Sequence, residues 1–302
     1  MKHTKFGVEI EFTGITRKQA AEIAAAFFGS GVSHRNSYDR YTTLDASGRT
    51  WTFMSDASIP AMRKERGRRI HANGEYQVEL VTPILTYEQD MDTLQQLVRK
   101  LRKAGAFTDP QNCGIHIHLD GAPHTARSIR NWVNIIASRN DLLYKALQIE
   151  PERKRWCKEL DYNLVRRMNS RRPRTLSQIE EIWYYDYGSA CRDTHYHPSR
   201  YAFLNLHSFF HGNGTVELRG FNATLHAGKV RAYVALALAM NQQALTQSKA
   251  SAKKPQTENE KFAMRTYLTR IGLNGDEFAN CREHLCKHLD GNAAWRFGQQ
   301  GA

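Results

Sequence analysis

Long apolar runs are missing from this 302-residue chain. The longest, VALALAM at 234–240, is too short for a bilayer span, which takes about 20 apolar residues. The opening, MKHTKFGVEIEF, carries charge where a secretory leader needs an apolar core, so a cytoplasmic protein without a membrane partner is expected. Cysteine is scarce and unpatterned. Cys113, Cys157, Cys191, Cys281 and Cys286 form an odd set without framework spacing, which argues against a disulfide scaffold and for reduced thiols. No nucleophile elbow, Walker loop, GxGxxG turn or CxxC pair occurs, which removes the usual sequence grounds for an esterase, a P-loop enzyme or a dinucleotide oxidoreductase. Negative charge is also short: 30 Asp and Glu against 43 Lys and Arg give a net charge of +13. That excess is spread over the whole chain, so nucleic acid is not expected as the main ligand.

What is present suffices for a large core. With 41% hydrophobic and 24% charged residues, the chain reads as soluble and globular. ITRKQAAEIAAAFFG predicts a helix closed by Gly29 or Gly31. Thr86 with Gln89 predicts a capping box and a helix running to about residue 104. Further helices are predicted at 126–147, near 176–184 and at 227–245. FGVEIEF (6–12), YQVELVTPIL (76–85) and CGIHIHLD (113–120) predict strands. One hairpin is predicted over 38–56, turning at Ala46-Ser47-Gly48. A second pairs RYAFLNLHSFF (200–210) with TVELRGF (215–221) around Gly212-Asn213-Gly214. Hairpins interleaved with helices give an α+β class with a mainly antiparallel sheet. Residues 1–245 form the expected main domain, 246–260 have linker composition, and 261–302 read as a small helical appendix.

The few acidic residues sit inside apolar strand patterns. In FGVEIEF, Phe6, Val8, Ile10 and Phe12 share one face, and Gly7, Glu9 and Glu11 share the other. Two carboxylates about 7 Å apart on one face repel, while the stripe behind them calls for burial. The anomaly recurs. His116, His118 and Asp120 share a face of GIHIHLD, Glu217 and Arg219 share a face of TVELRG, and Glu79 stands between Val78 and Leu80. Any one of these strands is explained by a solvated polar face. Together they select oxygen and imidazole donors in place of Lys, Thr, Ser and Gln, and that calls for a divalent cation such as Mg²⁺ or Mn²⁺. Such an ion also removes the repulsion that would raise a carboxylate pKa. Arg219 beside Glu217 adds a group suited to phosphate. HIH also matches the HxH of barrel metal hydrolases, but it lies mid-chain without a following βα repeat. In NCREHLCKHLDG, Cys281, His284 and His288 share a helical face, where a zinc site competes with ordinary packing.

Taken in order, FGVEIEF, SDASI, YQVELVTPIL, CGIHIHLD, RYAFLNLHSFF and GTVELRGFNATL resemble the successive motifs of the amidoligase family, relatives of glutamine synthetase and glutamate-cysteine ligase. The resemblance covers about residues 5–240. It implies a curved antiparallel sheet with helices outside, holding ATP and two or three Mg²⁺ or Mn²⁺ ions. The implied chemistry is phosphorylation of a carboxylate followed by attack of an amine. By analogy Glu9, His116 and Glu217 would hold the ion nearer the ATP phosphates, and Glu11, Glu79 and Asp56 the ion nearer the acyl group. Arg219 would stabilise the transferring phosphoryl charge, and Arg200 would contact phosphate or substrate carboxylate. His118 is read either as a ligand or as a residue orienting its neighbour. The implied partners are small-molecule or peptide carboxylates and amines. The basic, aromatic segment 121–199 shapes the acceptor pocket in this reading and hints at an acidic substrate. The alternatives are a kinase of guanidino, amine or carboxylate compounds and a polyanion-binding protein on the same scaffold.

Overall fold

The computed structural model describes residues 1–188, 191–255 and 257–294. The alternating pattern at the N-terminus forms β1 (Lys5–Phe12). Thr16 then caps α1 (Arg17–Phe28): its hydroxyl accepts from the Gln19 N–H, the Gln19 side chain accepts from the Thr16 N–H, and Gly29 closes the helix at φ 71°. A meander follows, β2 (Val32–Arg35), β3 (Arg40–Leu44) and β4 (Thr50–Met54), with the β3–β4 turn where the sequence predicts it. β5 (Met62–Glu65) and β6 (Arg68–His71) form a separate exposed ribbon. The chain then returns through β7 (Val78–Val81), β8 (Leu85–Thr86), α2 (Tyr87–Lys103), β9 (Gly114–Asp120) and α3 (Ala126–Ala146). Two short helices, α4 (Tyr162–Arg171) and α5 (Leu176–Trp183), precede β10 (Leu204–Asn205), α6 (His207–His211), β11 (Thr215–Asn222) and α7 (Ala227–Thr246). The tail carries α8 (Glu260–Arg270) and α9 (Ala279–Cys286).

The main sheet runs β10-β11-β9-β1-β7-β4-β3-β2, with β8 also paired to β1 and every pair antiparallel. This is the mixed architecture expected, and the sheet is open, not curled into a barrel. Pro83 separates β7 from β8, and Thr82 keeps the ladder satisfied there: its hydroxyl accepts from the Val8 N–H at 2.9 Å. The apolar side chains of β1, β9 and β11 are buried beneath a helical layer in which α1 packs on β3 and β4, and α7 on β9. Phe6, Val8, Ile10 and Phe12 each contribute about 1.5–3 kcal/mol by that burial.

Two local expectations fail. Residues 200–210 give only the two-residue β10 before turning into α6, because the Asn205 Oδ1 accepts from the N–H groups of His207 (2.8 Å) and Ser208 (3.3 Å). At the start of α2 the capping box is replaced by Asp90, whose Oδ2 accepts from the Thr86 N–H at 2.7 Å.

Part of the sequence with linker composition is strapped down. Asn131 donates to the carbonyls of Ala244 and Gln247 and accepts from the Ala250 N–H, and Ala250 is buried. Met264, Leu268, Leu285 and Leu289 of the tail enter the same hydrophobic cluster as the sheet. Residues 295–302 of the expected appendix lie outside the described residues. Among the described residues no helix is long and apolar enough to cross a membrane.

Candidate active site

Strand register gathers the polar motifs. Glu9 lies across from His116, Glu11 from Glu79, Gly7 from His118, and Glu217 from His118 on that strand's other side. Four adjacent strands, β7, β1, β9 and β11, thus turn carboxylate, imidazole and guanidinium to the face opposite the helices. Two sets of donors can each close on one point. Ligand atoms of Glu9, His116 and Glu217 lie within 4.8 Å of one another, and so do those of Glu11, Glu79 and His116. His116 is the hinge between them: its Nδ1 is 3.0 Å from Glu9 Oε2, and its Nε2 is 3.6 Å from Glu11 Oε1.

β11 needs a bulge to serve both faces. Leu218 pairs with Ile117 but Phe221 pairs with Ile115, so β11 holds one extra residue at Arg219–Gly220. Simple alternation would put Phe221 on the face of Glu217 and Arg219. The bulge returns Phe221 to the core and leaves Arg219 beside Glu217, Nη1 to Oε1 2.5 Å. Gly220 is required at the bulge, since a Cβ there would lie 2.0 Å from the Phe203 ring.

The charges are poorly balanced. Burial raises the Glu79 carboxyl well above the ordinary range, and Glu9, Glu11 and Asp56 push it further. Burial also raises Glu11, although His116 and the Gly114 N–H, which donates to Glu11 Oε2 at 2.6 Å, partly offset it. Burial opposes charge on Glu9 too, but His118 and His116 outweigh it and hold that carboxyl well below its usual value. For Glu217 the same burial cost is outweighed by Arg219 and His118. His118, whose charge burial also disfavours, is pushed up to about 9 by Glu9 and Glu217. Its Nε2 sits 3.2 Å from Glu9 Oε1, too poorly aligned for a hydrogen bond, while its Nδ1 meets the Thr215 hydroxyl at 2.9 Å.

Of the residues singled out from sequence, Glu9, Glu11, Glu79, His116, His118, Glu217 and Arg219 come together. Asp56, in the loop after β4, is close enough to raise Glu11 and Glu79 but stands outside both donor sets. Arg200 makes no contact with the cluster among the described residues: its Nη1 donates to the His195 carbonyl, and its guanidinium lies 5.5 Å from the Tyr196 ring centroid. Cys281, His284 and His288 form no close donor triad among the described residues.

Sequence reasoning missed the supports. Asn205 donates to Glu217 Oε2 at 2.6 Å, and Ser208 meets the Thr215 hydroxyl at 2.9 Å, so the passage from β10 into α6 braces both Glu217 and His118. Arg153 is 1% exposed and donates to the carbonyls of Phe221 and Arg219, which pins the bulge. Asn ahead of a short His-rich stretch is a usable capping signal; nothing in ERKRW marks Arg153 as buried. Beside Glu9 and His118 a groove of about 480 Å³ opens, floored by Gly7 and rimmed by Thr82, Pro83, Asn213 and Gly214. The Glu9 side chain is 23% exposed toward solvent and that of Glu11 only 6%, so the two glutamates have different access.

No curated protein matches the chain. The sequence model of the family described as "putative amidoligase enzyme" matches residues 2–241, a span that includes every strand of this polar face and ends inside α7. On that match, which covers most of its length, the chain belongs to the amidoligase family.

Proposed function

We propose that the chain is an ATP-dependent carboxylate–amine ligase working through an acyl phosphate, on a glutamine synthetase-like sheet. The observation that carries this reading is the pair of donor sets that share His116 on one sheet face, with Arg219 beside them. Their chemistry fits Mg²⁺ or Mn²⁺: Glu11 and Glu79 face each other across β1 and β7, and both carboxyl pKa values stay raised although His116 and Arg153 act on Glu11 and Arg219 on Glu79.

Glu9, His116 and Glu217 would hold one ion and Glu11, Glu79 and His116 another, with Asp56 at the approach and His118 held as a charged neighbour by Thr215. Bound there, divalent ions would screen phosphate charge and draw the nucleotide and carboxylate oxygens together. The more exposed Glu9 opens on the 480 Å³ groove, which is within the range of sites that enclose a nucleotide-sized ligand. Arg219 supplies a guanidinium to the transferred phosphoryl group, fixed in direction by the bulge and by Arg153, which donates to its carbonyl. The end at Glu79 and the less accessible Glu11 is left for the acyl group. Arg200, next to edge strand β10, would meet the substrate carboxylate from the rim.

The test is ADP release with Mg²⁺ or Mn²⁺ and pooled carboxylates and amines, followed by mass spectrometry. A product lighter than its summed reactants by one water supports the ligase. A phosphorylated product makes the chain a kinase, and cleavage without ATP makes it a hydrolase.

A further inference from the structure

A second concavity, about 760 Å³, opens on the helical side between α2, α7 and α9. Three elements send cations to it. The C-terminal part of α2 brings Arg99, Arg102 and Lys103, α7 brings Arg231, and α9 brings His284 against His226, their rings 5.0 Å apart. Arg231 is fixed in place, its Nε donating to the Tyr87 hydroxyl at 2.9 Å. Arg99, Arg102 and Lys103 have no carboxylate within ion-pairing distance among the described residues. The acid that lines the cavity, Glu277, pairs with Lys2 at 2.7 Å. Gly228 in the first turn of α7 is what lets α9 close the wall, since a Cβ there would lie 2.8 Å from His284 Nε2.

The field inside is positive and only partly compensated: Asp92 lies 4.0 Å from Arg231, and Glu283 acts on His284. Burial lowers the pKa of His226, His284 and Lys229, and neighbouring cations, Arg102 and Lys287 among them, push the same way. An anion in the cavity reverses that penalty. Two guanidinium forks and an ammonium on α2, converging with Arg231 from α7, suit an oxyanion with several oxygens better than a single carboxylate. The volume is also far larger than one carboxylate needs. The wall made by α9 lies beyond residue 241, so the cavity is something this chain adds to the matched family segment.

We propose that the cavity between α2, α7 and α9 binds a compact polyphosphate group, free or carried by a nucleotide, separately from the carboxylate face. The experiment is titration calorimetry of the full chain with inorganic tripolyphosphate in EDTA, where the metal-free acidic face repels the probe. Saturable one-to-one binding is expected. The variant Arg99→Gln/Arg102→Gln/Lys103→Gln should weaken it at least about tenfold while keeping the thermal midpoint. Arg63→Gln/Arg66→Gln/Arg68→Gln, which removes as much charge from the exposed β5–β6 ribbon, should change it less than about twofold. Absence of saturable binding, equal loss in both variants, or full retention by the α2 variant overturns the proposal. Tighter binding of ATP than of tripolyphosphate to the wild type, with the same loss in the α2 variant, supports the site with a nucleotide as its ligand. Equal affinities support it with phosphate alone as the recognised group.

Discussion

Glu79 is the side chain least provided for at the carboxylate face, and its protonation gives a direct check on the metal reading. Glu79 and Glu11 keep protons to higher pH in the folded chain than when unfolded. A carboxyl raised in this way favours the folded state only while protonated, so its benefit is lost as pH climbs past the ordinary carboxylate range. His118 works in the same direction: its stabilisation is complete below 6.5 and lost as pH rises through about 9. Without metal, the thermal midpoint should therefore fall between about pH 6 and pH 9. The upward shift caused by Mn²⁺ or Mg²⁺ should grow over the same interval, because the ion displaces those protons. Differential scanning calorimetry across the range decides it, and an ion-induced shift that does not change with pH would contradict the assignment. Glu9→Gln and Glu11→Gln should each reduce turnover at least ~10³-fold while leaving the circular dichroism spectrum unchanged. Near-normal activity in either variant would remove the donor sets from the mechanism.

Strands and their connections decide how much of this was readable. Glu9, Glu11, His116, His118 and Glu217 were legible because a period of two puts each on a polar face behind which an apolar stripe must be buried. The bulge at Arg219–Gly220 was not, since one extra residue in β11 shows itself only against the register of β9. Nor was α6: the FLNLHSFF pattern alternates like a strand, but the Asn205 side chain captures two backbone N–H groups and turns the chain into a helix. Arg153 was hidden because its burial depends on carbonyls in β11, far along the sequence. Two outcomes test these supports. Thr215→Val should keep the fold but lower activity or metal affinity about 10–100-fold by freeing His118; steady-state kinetics against metal concentration measures it. Gly220→Ala should cost about 1–3 kcal/mol or more in urea unfolding, because the new methyl meets the buried Phe203 ring.

The tail ties the whole molecule together. α9 packs on α7, the Tyr267 hydroxyl donates to Gln243 at 3.0 Å, and Lys145 on α3 bridges Glu260 and Asp290 at 2.6 Å each. Ending the chain after Thr246 would strip Leu268, Leu285 and Leu289 from the common cluster and bare the side of α7 they cover. Against a typical stability of about 5–15 kcal/mol, that loss should leave little soluble protein, as judged by gel filtration of the truncated chain. A soluble, monodisperse product would mean that residues 1–246 fold as an independent unit.

β1 precedes every other strand of the sheet in the chain yet stands at its middle, and this sets the order in which the sheet can assemble. Its partners emerge from the ribosome much later: Glu9 pairs with Val81 on one side and with His116 on the other. At roughly 5–20 residues per second, the strand waits several seconds with both hydrogen-bonding edges open. An alternating apolar strand in that state is prone to pair with the wrong chain. Two charges on every copy oppose such stacking, so Glu9 and Glu11 would guard the nascent segment whatever they do in the folded sheet.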